Sequence, residues 1–565
     1  MRRLIIIAAT VAFAVSARGV SIVNSKHNLS TSGPGTLKAA TETDVCIFCH
    51  TTHLSAPNAP LWNRPNSGVT YSTYNSSTLK ATVGQPSGSS KLCLSCHDGT
   101  VALGQLRNRA ARVRFQHDVT HMPSGASRLG TDLSGDHPVS FVFDNSVRAV
   151  KSDMNTPSAL TGRVRLQNDR IECTTCHDPH DDRYGKFLVT DNVASALCLV
   201  CHNKPDWIGS SHQASTKRWN GSGPNPWPHS KYATVADNGC GNCHRSHTAG
   251  GKERLLNYDS DEANCFPCHN GNVATKNIQA EFNKASVHPI AFGKHDPMEH
   301  AVNSPRHVKC MDCHNPHATT SKGPVVMSKS MKSTVPGPVI ASRAIRGVKG
   351  VTSAGTVVKQ VTYEYELCYR CHADSINRGR ARVTRQFVQT NTRRAFAESN
   401  LSYHPIQAPG RNANVPSLIA PWTTAHQMTC TDCHNNDQSP GANGTGPGGP
   451  HGSAYAPLLE RQQILTDNTI ESSTAYALCY KCHSRDSILS DQSFPHHRKH
   501  VVDQRTACTT CHDSHGVANA TNLINFNTTY AAKSSNGRFD YTATGPRHGT
   551  CNLTCHNADH NNRSY

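Results

Sequence analysis

The chain has 565 residues, enough for several domains, yet only 36% are apolar and 6% aromatic, which excludes a large hydrocarbon core. Lys and Arg exceed Asp and Glu to give a formal charge of +18, a balance that alone would point to nucleic acid or an anionic membrane. The 24 cysteines and 35 histidines point elsewhere, to bound metal or cofactor or to a disulfide framework.

The N-terminus reads as an export signal. MRR, the apolar stretch LIIIAATVAFAV and the small residues of VSA place cleavage after Ala17, making 1–17 a signal peptide. A membrane anchor needs about 18 to 20 apolar residues, so the mature chain is expected to have no transmembrane segment.

Every cysteine then falls in a pair followed by histidine. Eleven C-x-x-C-H motifs comprise Cys46, Cys49 and His50; Cys93, Cys96 and His97; Cys173, Cys176 and His177; Cys198, Cys201 and His202; Cys240, Cys243 and His244; Cys265, Cys268 and His269; Cys310, Cys313 and His314; Cys368, Cys371 and His372; Cys430, Cys433 and His434; Cys479, Cys482 and His483; and Cys508, Cys511 and His512. A twelfth, CNLTCH, has one extra residue between Cys551 and Cys555, before His556. The spacing is the attachment signature of haem c: two thiols add to the porphyrin vinyl groups, and the histidine binds iron as proximal ligand. Zinc takes four ligands and has no need of a histidine after each pair. Disulfides suit an exported chain but leave the same histidines unexplained. At Cys551 and Cys555, the longer spacer keeps a local disulfide as an alternative.

Twelve haems reinterpret the charge. The signal removes Arg2 and Arg3, and each haem adds two propionates against a ferric core of +1, so the holoprotein falls to about +4 oxidised and about −8 reduced. The basic residues mainly balance propionates, and no nucleic-acid partner is expected. For the sixth iron position there are 23 further histidines but only 8 methionines, which favours bis-histidine, low-potential haems.

The motifs alternate. One kind carries a histidine three residues past the proximal one: His53, His180, His247, His317 and His515; the intervening motifs lack it, and most open with leucine. The fifth pair begins CHNND and lacks that histidine, with His451 of GPHGS as substitute; in the sixth, His560 lies four residues beyond His556. Histidines three apart on one turn project from the same side, whereas two axial ligands approach iron from opposite faces. His180 is therefore expected to serve a haem adjacent to that of His177. A second class lies between the pairs: His137, His288, His404, His212 or His229, and His497 or His500, with His27 for the first pair. The distal candidates are thus His27, His53, His137, His180, His212, His247, His288, His317, His404, His451, His500 and His515. Their main competitors are His307 and His548, each three residues before a motif cysteine, and His426, four before Cys430.

The doubling divides the mature chain into haem pairs at 18–110, 111–205, 206–275, 276–385, 386–490 and 491–565. Spacing within pairs varies, from 25 residues between Cys173 and Cys198 to 58 between Cys310 and Cys368, which argues against a regular solenoid. Gly, Pro, Ser, Thr and Asn dominate between motifs and read as loop. The expected fold is a multihaem cytochrome c of low regular secondary structure. Short helices and loops wrap around a chain of stacked haems, with a small β insertion at 324–365.

CTTCHDPH…LCLVCH, HVKCMDCHNPH…YELCYRCH and TCTDCHNND…GPHGSAY…LCYKCH together resemble the doubled-C-x-x-C-H multihaem cytochromes c of metal-reducing bacteria, a likeness covering nearly all of the mature chain. It implies electron movement across the periplasm or outside the cell, with other redox proteins or extracellular acceptors as partners, and in some relatives self-association into conducting filaments. Electron hopping along twelve bis-histidine haems is the expected function, with no enzyme activity and no catalytic residue. The alternative is a multihaem reductase with one open-site haem, although no altered motif such as C-x-x-C-K marks one. An extracellular or outer-surface place is expected over the periplasm. For filaments, His27 is expected to bind a haem of the next subunit.

Overall fold

The computed structural model describes residues 21–56, 61–320, 343–376, 378–379 and 381–565, so the expected signal peptide at 1–17 lies outside the described residues. The chain forms two compact units: one runs through Lys204 and includes Asp237–Asp259, the other comprises Pro205–Ala236 and Ser260–Tyr565. The first holds the motifs from Cys46 to Cys240 and the second those from Cys265 onward, so this division falls within the 206–275 pair.

Regular structure is sparse, as expected. The longest helices are α1 (Gly88–His97), α2 (Asp261–His269) and α3 (Glu364–His372), and each ends on the histidine of the second motif of a pair. Motifs that open a pair occupy single turns, such as Cys173–Cys176, Cys310–Cys313 and Cys508–Cys511. One bond defines such a turn: the histidine N–H donates to the first cysteine's carbonyl, at 3.0 Å in His177, 2.8 Å in His50 and 2.9 Å in His512. That i to i−4 closure brings both thiols and the imidazole to one side. Side chains cap some of these turns from within, Asp312 accepting from Lys309 N at 2.7 Å and Asp432 from Thr429 N at 2.8 Å.

Buried apolar residues form small separate clusters rather than one core. The largest gathers Val351, Tyr365, Tyr369, Ala373, Phe396, Tyr403, Ile406 and Ala408, and motif cysteines pack against several clusters. Polar groups fill much of the remaining interior. Arg64, fully buried, donates to the carbonyls of Leu103 at 2.5 Å and of Ser95 and Ala102 at 3.1 Å, pinning the end of α1 to the loop after it.

The β structure extends beyond the expected insertion. Of the proposed insertion at 324–365, residues 324–342 lie outside the described residues, and the rest contains one two-residue hairpin, Gly350–Val351 with Val357–Val358, packed on α3. The largest sheet lies at the C-terminus: β1 (Asp540–Gly545), β2 (His548–Cys555) and β3 (Ala558–Ser564) are antiparallel, and Ala531–Ala532 also pairs with β2. These strands are largely polar, which hid them from hydrophobic patterning. Among the described residues, no helix is long and apolar enough to cross a membrane.

Replacing Arg64 with leucine leaves three buried carbonyls without their donor and is expected to lower stability by about 3 kcal/mol or more. Arg114→Leu, at a side chain 82% exposed, is expected to change it by under about 0.5 kcal/mol. Guanidinium denaturation of the haem-loaded protein measures both.

Candidate haem-binding sites

Two imidazoles bound to one metal through bonds of about 2.0 Å hold their ring centres about 6 Å apart. In the first unit that separation recurs between a motif histidine and a distant one: His97 with His27 at 6.2 Å, His50 with His180 at 6.2 Å, His202 with His137 at 6.3 Å and His177 with His247 at 6.1 Å. In the second unit His269 faces His212 at 6.1 Å, His372 faces His288 at 6.4 Å, His314 faces His451 at 6.0 Å, His434 faces His515 at 6.3 Å and His512 faces His497 at 6.4 Å. His404 and His512 both lie near enough to His483 to act on it electrostatically.

The second ring nitrogen shows which way each ring points. Nδ1 donates to a backbone carbonyl in the proximal histidines His97 (Ser127, 2.7 Å), His177 (Lys186, 2.9 Å), His244 (Arg254, 2.9 Å), His314 (Ala344, 2.9 Å), His434 (Pro457, 3.0 Å) and His512 (Asn522, 2.9 Å). This fixes the tautomer and leaves Nε2 for a metal. Burial also pushes the imidazoles of His202, His269, His372, His451, His483, His497 and His515 down to about 4, favouring the neutral, ligating form.

The two classes of distal histidine are joined to each other. Nδ1 of His27, His212, His288 and His404 donates to the carbonyls of Pro179, Pro316, Pro450 and Ser514, each the residue just before His180, His317, His451 or His515. At His137 the backbone N–H instead donates to the carbonyl of Ser246, next to His247. In CTTCHDPH, His177 therefore faces His247, His180 faces His50, and Pro179 orients His27 opposite His97.

The cysteines follow the same order. The thiols of Cys93 and Cys173 interact, as do those of Cys198 and Cys240, Cys265 and Cys310, Cys368 and Cys430, and Cys479 and Cys508, each interaction joining one pair to the next. Within pairs the second cysteines interact, as Cys49 does with Cys96, Cys176 with Cys201, Cys313 with Cys371 and Cys433 with Cys482. Among the described residues no disulfide joins any cysteine, Cys551 and Cys555 included.

Some candidates sit elsewhere. His53 is exposed and its ring meets no histidine among the described residues. His317, whose Trp207 contact at 6.3 Å is edge-on, keeps further contacts of its own. His497, the alternative to His500, faces His512, while His500 faces His560 at 6.2 Å. His556, expected as a proximal ligand, lies at the turn between β2 and β3 and points Nε2 at the buried Asp467 carboxylate, 2.7 Å away. Of the competitors, His426 packs on Trp422, His548 donates to Tyr565, and His307 joins a carboxylate cluster.

Attachment turns beside opposed, oriented imidazoles are the donor set that covalent haem requires, and they define a c-type haem protein. The family described as "Doubled CXXCH motif" matches residues 167–206 and 233–274, the second and third pairs. Over 159 residues the chain is 28% identical to the multiheme cytochrome MtrA of Shewanella baltica, across 26% of this chain and 36% of that protein. Together with the twelve motifs, these matches support a multihaem c-type cytochrome, and the chain spans about a third of the length of the curated relative it matches.

His180→Ala and His247→Ala are each expected to produce one high-spin iron, and the double variant two, by EPR of the oxidised protein. A single high-spin iron in the double variant would place both histidines on one haem.

Proposed function

We propose that the chain is a dodecahaem cytochrome that passes electrons by hopping along bis-histidine haems, for respiration to metal or other acceptors outside the cell. Haem iron, once bound, takes up and releases single electrons; the protein sets ligation, spacing and surroundings. One observation carries the reading: imidazole pairs at iron-spanning distance recur through both units, and interacting cysteines link successive motifs.

On this reading His180, His27, His247 and His137 are the distal ligands opposite His50, His97, His177 and His202. His212, His451, His288, His515, His404 and His497 serve the haems of His269, His314, His372, His434, His483 and His512. His317 stays a distal candidate by its place in the repeat. The last haem, on Cys551 and Cys555, takes His500 and His560 in place of His556. A strand alternates its side chains, so the three-residue spacer puts Cys551, Leu553 and Cys555 on one face of β2, and His560 pairs opposite Leu553. Tyr565 supports the arrangement, its hydroxyl 3.2 Å from His560 Nδ1.

Mass spectrometry is expected to count twelve haems, and EPR of the oxidised protein to be wholly low-spin; an intrinsic high-spin signal would favour the reductase. His560→Ala is expected to create one high-spin iron. A spectrum that stays low-spin in that variant would return the last haem to His556.

The protein is proposed to be exported to the outer surface or beyond. His27 faces His97 of its own chain, so a filament joined by a shared ligand would use the exposed His53 instead. His53→Ala is expected to abolish filaments of secreted protein in electron micrographs while leaving its haem content unchanged.

A further inference from the structure

In the second unit, two histidines meet carboxylates. His295 Nδ1 lies 2.8 Å from Asp312 Oδ1 and 4.0 Å from Glu299 Oε1, and His307 Nε2 lies 3.2 Å from Glu299 Oε2 and 3.4 Å from Asp312 Oδ2. One ligand atom from each residue can be chosen so that all four lie within 4.8 Å of one another. The side chains are between 7% and 14% exposed, which sets the cluster apart from a solvated acidic patch.

The orientation of His307 makes the cluster informative. Its Nδ1 donates to the Pro305 carbonyl at 2.7 Å, so Nε2 of the neutral ring presents a lone pair to two carboxylates. Such an arrangement requires a cation between the groups, either a proton or a metal ion. Arg370, 3.1 Å from Glu299 Oε1 and 3.8 Å from Asp312 Oδ1, shares its single positive charge between the two carboxylates and leaves one negative charge unanswered.

We propose that His295, Glu299, His307 and Asp312 bind a divalent first-row metal ion, with zinc the best match. Two imidazoles and two carboxylates suit zinc, and four-coordinate bonds of about 2.0–2.1 Å set ligand atoms about 3.4 Å apart, in the middle of the observed separations. The surrounding bonds are those that orient metal ligands. Pro305 holds His307, the Lys309 N–H donates to Asp312 Oδ2 at 2.7 Å, and Arg370 holds Glu299 Oε1. Asp312 belongs to the CMDCH turn, so the ion would tie the 295–307 loop to the attachment site at Cys310 and Cys313.

The test uses the full-length, haem-loaded protein. It is stripped with a chelator, incubated with zinc, dialysed against metal-free buffer and assayed for zinc and iron by plasma mass spectrometry. Wild type is expected to retain one zinc per chain more than His307→Ala or the near-isosteric Glu299→Gln, with iron content and low-spin spectrum unchanged in Glu299→Gln as the check on folding. If wild type retains no more zinc than Glu299→Gln, the cluster is a proton-bridged ion-pair network and the proposal fails.

Discussion

An iron held by two imidazoles needs them on opposite faces, and one attachment turn supplies only one. The closure that places the motif histidine under the porphyrin puts any histidine three residues later on the same side. The second ligand must therefore come from elsewhere in the chain. His97 faces His27, and His372 faces His288, so ligation requires contacts between residues remote in sequence. On the proposed ligation, a chain with small, scattered apolar clusters would gain a set of long-range restraints that its hydrophobic residues do not provide.

Those restraints are coupled. A distal histidine of one class is oriented by the carbonyl beside a distal histidine of the other, so the position of one site conditions its neighbour. Interacting cysteines add a second connection from pair to pair. Electron transfer depends steeply on the spacing of centres, and short segments that serve several sites are a direct means of fixing it. CTTCHDPH is such a segment, since its histidines and proline bear on three opposed pairs.

The C-terminal motif follows different geometry for a local reason. Two intervening residues suit a helical turn, whereas three suit a strand, where alternate side chains share a face. The extra residue in CNLTCH, read in sequence only as a departure, accords with β2 and with His560 standing beside the cysteines while His556 turns to Asp467. FPHHRKH posed a choice between His497 and His500, and both stand opposite another imidazole, one facing His512 and the other His560.

The sequence by itself determined the attachment chemistry, the shortage of regular structure and the rule that His180 could not share an iron with His177, because all three follow from composition and from spacing within a single turn. It could not say that His180 looks back to His50, that His451, named from sequence as the substitute in CHNND, faces His314, or that polar C-terminal residues form the main sheet. Those outcomes depend on which distant loops meet. Only tertiary structure decides that, because opposed ligands at one iron must come from segments whose separation in sequence carries no signal of their contact in space.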